Sequence, residues 1–183
     1  MPELPEVENA RRITHDALAG ERLASVSAAA DEIVFAGVKP RMFARRLKGR
    51  AVVDVARRGK HFWLVLDERP WPALHLGMTG AVHVYDRAAD RPRFWKVEFV
   101  TGSGRRLAMT SARRLGRVRL LDDPPHEPPI SRLGFDPLLD LPSARVVGEL
   151  LAGRTGPIKA VLLDQGFAAG VGNWIADEVL YQA

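Results

Sequence analysis

The sequence predicts an α+β protein: an antiparallel β-sandwich with flanking helices over residues 1–121, then a helical region over residues 138–183. Short runs rich in β-branched and aromatic residues, separated by tight turn signals, fill the middle of the chain. A proline-rich linker over residues 122–137 ends these runs, and helical spacing of apolar residues follows it. With 183 residues, 46% of them hydrophobic, the chain is long enough to bury a core.

Two helices are expected beside the strands. The first begins near Pro5 and ends before Gly20, since Pro suits a first turn and Gly the position past the last one. The second lies between Pro40 and Lys48, where Gly49 stops it. The apolar residues of the first helix share one face, which we expect to be buried: Val7, Ala10, Ile13, Ala17 and Leu18.

The strands are short and closely spaced. Turn residues such as Asp67–Pro70 and Thr101–Gly104 separate them, which indicates an antiparallel sandwich or barrel. Strand character is expected in eight segments: Arg22–Ala28, Glu32–Ala36, Val52–Ala56, His61–Leu66, Ala73–Leu76, Ala81–Tyr85, Trp95–Val100 and Arg106–Thr110.

The second region is expected to be helical. Five prolines among the sixteen residues 122–137 exclude a helix or central strand there. Ser143 caps a helix over Ala144–Ala152, and Pro157 opens another over Ile158–Gln165. Three glycines in residues 166–172 break the helix, and Asn173 caps a last one. That helix is still running at Ala183, so we expect the chain to be cut short or to be covered by the first domain.

Composition narrows the class of protein. The formal charge is +5, and 22 arginines stand against 5 lysines. Arginine suits phosphate oxygens, so a polyanionic partner is indicated, although a GC-rich genome would also favour arginine. No cysteine is present, which excludes disulfides and thiolate zinc sites in these residues. No apolar run approaches a membrane span and no signal peptide opens the chain, so we expect no membrane partner and no secretion.

The N-terminus carries the most informative chemistry. Removal of Met1 would expose a secondary amine on Pro2, and an α-amine has a reference pKa near 8, well below that of lysine. A neutral amine attacks a sugar carbon and forms a Schiff base. Glu3 and Glu6 are candidates for the proton donor and charge stabiliser. The alternative is that both are ordinary first-turn acids that offset the helix dipole.

A series of motifs that begins with the opening Pro2–Glu8 and ends with Gly170–Glu178 resembles the formamidopyrimidine-DNA glycosylase family, the Fpg branch of the Fpg/Nei family. The opening Pro2–Glu8 carries the likeness first, and the end of the chain most resembles plant and fungal members. The Nei branch opens differently, with Gly where this chain has Leu4. The other motifs follow in family order: Gly59-Lys60, His75–Gly80, Arg113–Gly116, Leu133–Pro137 and Gly170–Glu178.

The resemblance implies roles for individual residues. Pro2 would be the nucleophile, and Glu3 the acid that protonates the leaving base or the opened sugar. Glu6 would help organise the pocket of the flipped base. Lys60 would serve both catalysis and the phosphates beside the lesion, and His75 would join it in binding DNA.

The resemblance also assigns a wedge and two further phosphate contacts. Met78, Arg113 and Leu115 would fill the vacated base stack, and Arg114 would hold phosphate. Leu115 stands where Phe is usual, and Ser111-Ala112 replaces a segment that usually begins with Asp. In the implied helix–two-turn–helix element, the N–H groups of Gly172 and Asn173 suit a phosphate, and Lys159 would add a cation.

The implied function is base excision repair. We expect a glycosylase and AP lyase for oxidised purines such as formamidopyrimidines, with 8-oxoguanine as a further candidate, that acts on damaged double-stranded DNA as a monomer. No cofactor or metal is expected in this chain, because any zinc finger would lie downstream. Localisation would be nuclear in a eukaryote and cytoplasmic in a bacterium. The alternatives are a Nei-like preference for oxidised pyrimidines and a truncated, non-catalytic nucleic-acid-binding module.

Overall fold

The computed structural model describes residues 2–183, in which five helices accompany eight strands. The helices are α1 (Leu4–Leu18), α2 (Pro40–Leu47), α3 (Ala144–Ala152), α4 (Ile158–Leu163) and α5 (Asn173–Gln182). The strands are β1 (Leu23–Ala28), β2 (Val52–Arg58), β3 (His61–Leu66), β4 (Trp71–His75), β5 (Ala81–Tyr85), β6 (Trp95–Thr101), β7 (Arg106–Thr110) and β8 (Arg117–Leu121). The α+β class predicted from the sequence is confirmed.

The strands form two four-stranded sheets. One has the order β1-β6-β7-β5 and the other β2-β3-β4-β8, and every neighbouring pair is antiparallel. Tight connections such as the Gly59-Lys60 turn between β2 and β3 permit this arrangement. The sandwich is therefore the correct one of the two predicted architectures.

Side chains from both sheets meet in one core. Phe62 on β3, Phe99 on β6 and Leu107 on β7 are fully buried in a single apolar cluster, to which α1 adds Val7 and others. The opposite face of β3 is also covered, because Trp63 packs with Ile130 of the proline-rich segment. That segment contains two short 3-10 turns, Pro124–His126 and Ile130–Arg132. The proline-rich segment is therefore packed against the sandwich.

Two strand predictions need correction. Residues 32–36 form a turn, because the main-chain oxygen of Asp31 accepts hydrogen bonds from the N–H groups of Val34 and Phe35. Within this run Phe35 makes one isolated parallel bridge, to Val118, in place of a continuous strand ladder. Conversely, Arg117–Leu121 is a strand absent from the predicted set, and it pairs with β4 along its whole length.

The helical region has a small core of its own. Val161 on α4 and Ala176 on α5 pack with Phe167 and its neighbours between the two helices. The helix α4 ends at Leu163, two residues before the predicted end, because the Asp164 carboxylate accepts a hydrogen bond from Gly166 N–H at 2.8 Å and starts a turn. No helix within residues 2–183 is long and apolar enough to cross a membrane.

Candidate active site

The start of the chain is fixed against the helical region. Glu3 is the N-cap of α1, and its N–H donates to the Glu6 carboxylate at 2.9 Å in a capping box. The N–H of Leu4 donates to the carbonyl oxygen of Gly170 at 3.1 Å. Pro2, directly before the cap, is half-buried. The amine predicted to be the nucleophile therefore lies where the sandwich meets the helices.

The Glu3 side chain reaches across this junction. Its carboxylate is buried and accepts hydrogen bonds from the N–H groups of Trp174 at 3.1 Å and Ile175 at 3.2 Å, in the first turn of α5. The positive end of the helix dipole adds to this attraction. The prediction that Asn173 caps α5 is wrong: the N-cap is Gly172, and Asn173 is the first helical residue. The carboxylate of Glu3, which precedes Gly172 by 169 residues, accepts the N–H groups of the first turn instead.

Lys60 approaches Glu3 from the β2–β3 turn. Its Nζ donates to the carbonyl oxygen of Val171 at 2.9 Å. Burial lowers the pKa of Lys60, and the nearby charge of Glu3 offsets part of this shift. The turn itself uses the left-handed conformation of Gly59, where a Cβ would crowd Ala169 and Gly170. The structure thus brings the predicted residues Pro2, Glu3 and Lys60 together.

A buried ion pair, which the sequence did not reveal, holds that turn. Arg57 Nη1 lies 2.5 Å from an Asp136 carboxylate oxygen, which also accepts the Gly59 N–H at 2.7 Å. Arg57 Nε donates to Glu8 on α1 at 3.0 Å. Burial opposes ionisation of Glu8, but its hydrogen bonds from Arg11, Arg12 and Arg57 outweigh burial and lower the pKa of Glu8 to about 2. The network joins α1, β2 and the segment before α3.

Beside Lys60 a cavity of about 360 Å³ contains two histidines. The rings of His61 and His75 lie 4.7 Å apart on neighbouring strands. Burial lowers the pKa of His61 to about 3 and that of His75 to about 4, and cationic neighbours add to both shifts. The N–H of Gly77 donates to His75 Nδ1 at 3.2 Å. The Nε2 of neutral His75 is then the nitrogen that carries the proton, and its contact to DNA stays a prediction.

Met78 and Leu115 lie on two loops that pack against each other and line this cavity. A Cβ at Gly77 would overlap the main chain of Leu115, so the two loops touch through their backbones. Ser111 Oγ accepts the Gly116 N–H at 3.1 Å and closes the second loop. The Ser111 hydroxyl thereby supplies the acceptor that fixes this loop. Both apolar side chains are exposed, as a wedge requires.

The adjacent arginines differ in their surroundings. Arg113 is exposed and has no side-chain partner within residues 2–183. Arg114 has a left-handed backbone and pairs with Asp31 at 3.0 Å. Burial opposes ionisation of Asp31, but Arg114 and Lys96 lower its pKa to about 2. The phosphate contact predicted for Arg114 stays a prediction, and its guanidinium already has one internal partner.

The predicted anion site at α5 is only partly occupied by the protein. Within residues 2–183, the N–H groups of Gly172 and Asn173 have no protein acceptor, whereas the next two N–H groups bind Glu3. Lys159 forms an ion pair with Asp177 at 2.5 Å. Its role toward phosphate stays a prediction.

Gln165, which was not among the predicted site residues, holds the turn before α5. Its Nε2 donates to the Val171 carbonyl oxygen at 2.9 Å, and its Oε1 accepts the Gly170 N–H at 3.0 Å. In the sequence, the one signal that could have pointed to Gln165 is its place in the run Leu162–Gly166.

A smaller cavity of about 230 Å³ lies beside Pro2 and Glu6, which face the loop after Leu76.

The site therefore offers the Pro2 nitrogen, which becomes an amine when Met1 is removed, a buried carboxylate, a half-buried ammonium group and open space on both sides of them. Within the described part of the chain, no three side chains converge as metal ligands do. An amine held beside an anchored carboxylate suits covalent attack on a sugar carbon. Cations and free N–H groups around it suit a phosphate backbone.

Two family models match the chain. The formamidopyrimidine-DNA glycosylase N-terminal domain matches residues 1–118, and the H2TH domain of the same family matches residues 133–183. A formamidopyrimidine-DNA glycosylase of Arabidopsis thaliana is 41% identical over 196 residues, and one of Rhodospirillum rubrum is 38% identical over 190 residues. These alignments cover the whole of this chain but only 50% and 66% of the two relatives.

Solved structures agree with the sequence comparison. Wild-type Fpg of Lactococcus lactis, bound to DNA containing N7-benzyl-Fapy-dG, superposes with a TM-score of 0.87 at 26% identity. The match covers 98% of this chain and 66% of that one. The same protein bound to DNA with an abasic site gives a TM-score of 0.86. From its sequence, its fold and the placement of its N-terminal residues, the chain belongs to the formamidopyrimidine-DNA glycosylase family.

Proposed function

We propose that the chain carries the catalytic machinery of a DNA glycosylase and AP lyase that removes oxidised purines from double-stranded DNA. The observation that carries this proposal is the junction at Glu3. Glu3 is the N-cap residue of α1, its carboxylate accepts two N–H groups of the first turn of α5, and it directly follows Pro2, so the sandwich and the helices together position the Pro2 nitrogen.

The proposed chemistry begins at Pro2. Its nitrogen lone pair attacks C1′ of the lesion nucleotide while the damaged base leaves with the bonding electrons and takes up a proton. Glu3 supplies that proton or protonates the ring oxygen as the sugar opens. The attacking nitrogen loses its N–H proton as the C1′–O4′ bond breaks and O4′ is protonated, so the proline nitrogen becomes part of an iminium ion. A base then takes a proton from C2′, and the 3′ phosphate leaves with the electrons of the C3′–O bond by β-elimination.

Binding is proposed to come from the surfaces around the amine. Lys60, His75 and the free N–H groups at the start of α5 would hold the phosphates beside the lesion. Met78, Leu115 and Arg113 would fill the gap left by the flipped nucleotide, because their loops are joined and their side chains are exposed.

Borohydride trapping on a duplex with an abasic site tests the proposal. The wild-type chain is expected to form a covalent protein–DNA adduct. A chain with an N-terminal extension, which removes the free imino nitrogen and changes little else, is expected to form none. Pro2→Gly should form less. An adduct of undiminished yield in the extended chain would reject the role of Pro2.

Oxidised pyrimidines are the second candidate substrate class. The Lactococcus lactis Fpg, which this chain resembles, has also been solved with DNA containing an oxidised pyrimidine. Product analysis on matched duplexes, one with a formamidopyrimidine and one with an oxidised pyrimidine, separates the two classes. We expect faster release of the purine-derived base.

A further inference from the structure

A second basic surface lies at the other end of the β2–β3 hairpin. It is an open pocket of about 620 Å³, hereafter the basic pocket. Lys60 is at one end of β2 and Arg50 precedes the other end, so the strand's six steps place the pocket roughly 20 Å from Lys60. Six cationic side chains line it: Arg22, Arg45, Arg46, Lys48, Arg50 and Arg69.

The acids in the basic pocket do not balance these cations. Asp67 and Glu68 are its two acidic lining residues, so six cations against two carboxylates leave a net charge of +4. Asp67 lies 3.5 Å from Arg22, and Glu68 pairs with Arg50. Arg69 lies 3.9 Å from Asp123, which is outside the pocket lining. Within residues 2–183, the other three basic residues, at the end of α2, have neither an ion pair nor a side-chain hydrogen bond: Arg45, Arg46 and Lys48.

The helix dipole does not account for this cluster. Arg45 and Arg46 lie in the last turn of α2, where the helix dipole favours cations by about 0.3–1 kcal/mol each at exposed positions. Lys48 lies beyond the helix, and Arg69 comes from the β3–β4 turn. Separate elements thus direct like charges into one pocket, which is unfavourable unless an anion shares it.

We propose that the basic pocket binds the phosphate backbone of a second duplex DNA segment while the candidate active site holds the first. Several adjacent cations fit a chain of phosphates better than a single one, and guanidinium groups bind phosphate oxygens in pairs. The pocket is open, which suits a backbone passing over it. A protein with two such surfaces bridges neighbouring duplexes and transfers between them.

The test uses the full chain and an undamaged, fluorescent duplex. The variant R45Q/R46Q/K48Q removes the three unpaired cations. The control, R12Q/R87Q/R145Q, removes the same charge from exposed arginines that already have carboxylate neighbours. Each lost phosphate contact lowers the slope of log affinity against log salt by about 0.9, so the pocket variant should lose about 3 from the slope and the control almost nothing.

A covalent complex distinguishes this surface from the active site. Wild-type chain trapped on an abasic duplex should still bind the second duplex, and the trapped pocket variant should not. Equal slopes for the two triple variants would overturn the proposal. So would displacement of the second duplex by inorganic phosphate beyond the effect of chloride at equal ionic strength, since that assigns the pocket to a single phosphate.

Two further comparisons distinguish failure of this inference from failure of the proposed function and from loss of folding. If no adduct forms, the proposed function fails, but the slopes of the untrapped variants still decide this inference. The pocket variant should also be at least as stable to heat as the wild type without DNA, because it relieves repulsion between like charges. A marked loss of thermal stability together with an unchanged salt slope would overturn the proposal.

Discussion

Gly172 and Glu3 are packed so closely that any side chain at position 172 would overlap the Glu3 carboxyl group. The carboxylate can reach the first turn of α5 only because the N-cap residue has no Cβ. The position of the Glu3 carboxylate therefore depends on glycine at position 172.

Gly172→Ala is expected to displace the Glu3 carboxylate and to reduce adduct formation with abasic DNA. Overpacking of this kind costs about 1–3 kcal/mol of unfolding free energy. Urea unfolding and borohydride trapping measure the two effects. The control is Gly148→Ala in α3, where a Cβ meets nothing within 4 Å. It should stabilise the helix by about 0.5–1 kcal/mol and leave trapping unchanged. Equal adduct yields from Gly172→Ala and Gly148→Ala would show that the Glu3 carboxylate does not depend on glycine at position 172.

Asp136→Asn tests the buried ion pair. It leaves the Arg57 guanidinium with Glu8 as its remaining carboxylate partner, and removing one member of a buried pair costs about 3–5 kcal/mol. Glu149→Gln breaks an exposed pair with Arg145 and should cost less than about 1 kcal/mol. Chemical denaturation of both variants gives the comparison. A loss below 1 kcal/mol for Asp136→Asn would show that the pair does not hold the Gly59 turn.

The two histidines predict an acid-sensitive fold. In the folded protein the pKa of His61 is about 3 and that of His75 about 4, against an ordinary value of 6.5. Between pH 4 and 6.5 the unfolded chain therefore binds more protons, so the unfolding free energy falls as the pH falls through this window. His61→Gln should flatten that dependence by about 1 kcal/mol per pH unit. Urea titrations at several pH values test it, and an unchanged slope would contradict the burial of His61.

Leu115 tests the proposed wedge. Leu115→Ala should weaken binding to a duplex with an abasic-site analogue by about tenfold, because roughly 1–2 kcal/mol of apolar contact with the stack is lost. Leu115→Phe should strengthen it, since aromatic stacking contributes about 1–3 kcal/mol per base. Fluorescence anisotropy measures both. The control is Leu141→Ala, which shortens another exposed leucine outside the cavity. Equal losses at positions 115 and 141 would argue against a wedge.

Sequence patterns predicted the elements whose signals are local. The bounds of His61–Leu66, Ala81–Tyr85 and Arg106–Thr110 were correct because each run of β-branched or aromatic residues ends at a turn signal. Arg117–Leu121 was absent from the predicted strands, although its arginines alternate with apolar residues in a pattern typical of a half-buried strand. It becomes a strand through pairing with β4, which lies more than forty residues earlier.

In the candidate site too, features with a local sequence signal were predicted and features that depend on distant contacts were not. The amine, the carboxylates and Lys60 were found from local motifs and from a family resemblance. The distant contacts were not, because no local pattern specifies which acid meets which partner. Arg57 pairs with Asp136, 79 residues away, and the start of α5 is capped by Glu3 rather than by Asn173. Gln165 acts through the main chain of a turn, which sequence spacing does not reveal.

The most direct test of the account is to locate the covalent bond itself. The trapped adduct is digested with protease and nuclease, and the modified peptide is identified by mass spectrometry. The account predicts that the sugar remnant is attached to the imino nitrogen of Pro2, in a peptide that lacks Met1. A remnant on Lys60, or active protein that retains Met1, would contradict it.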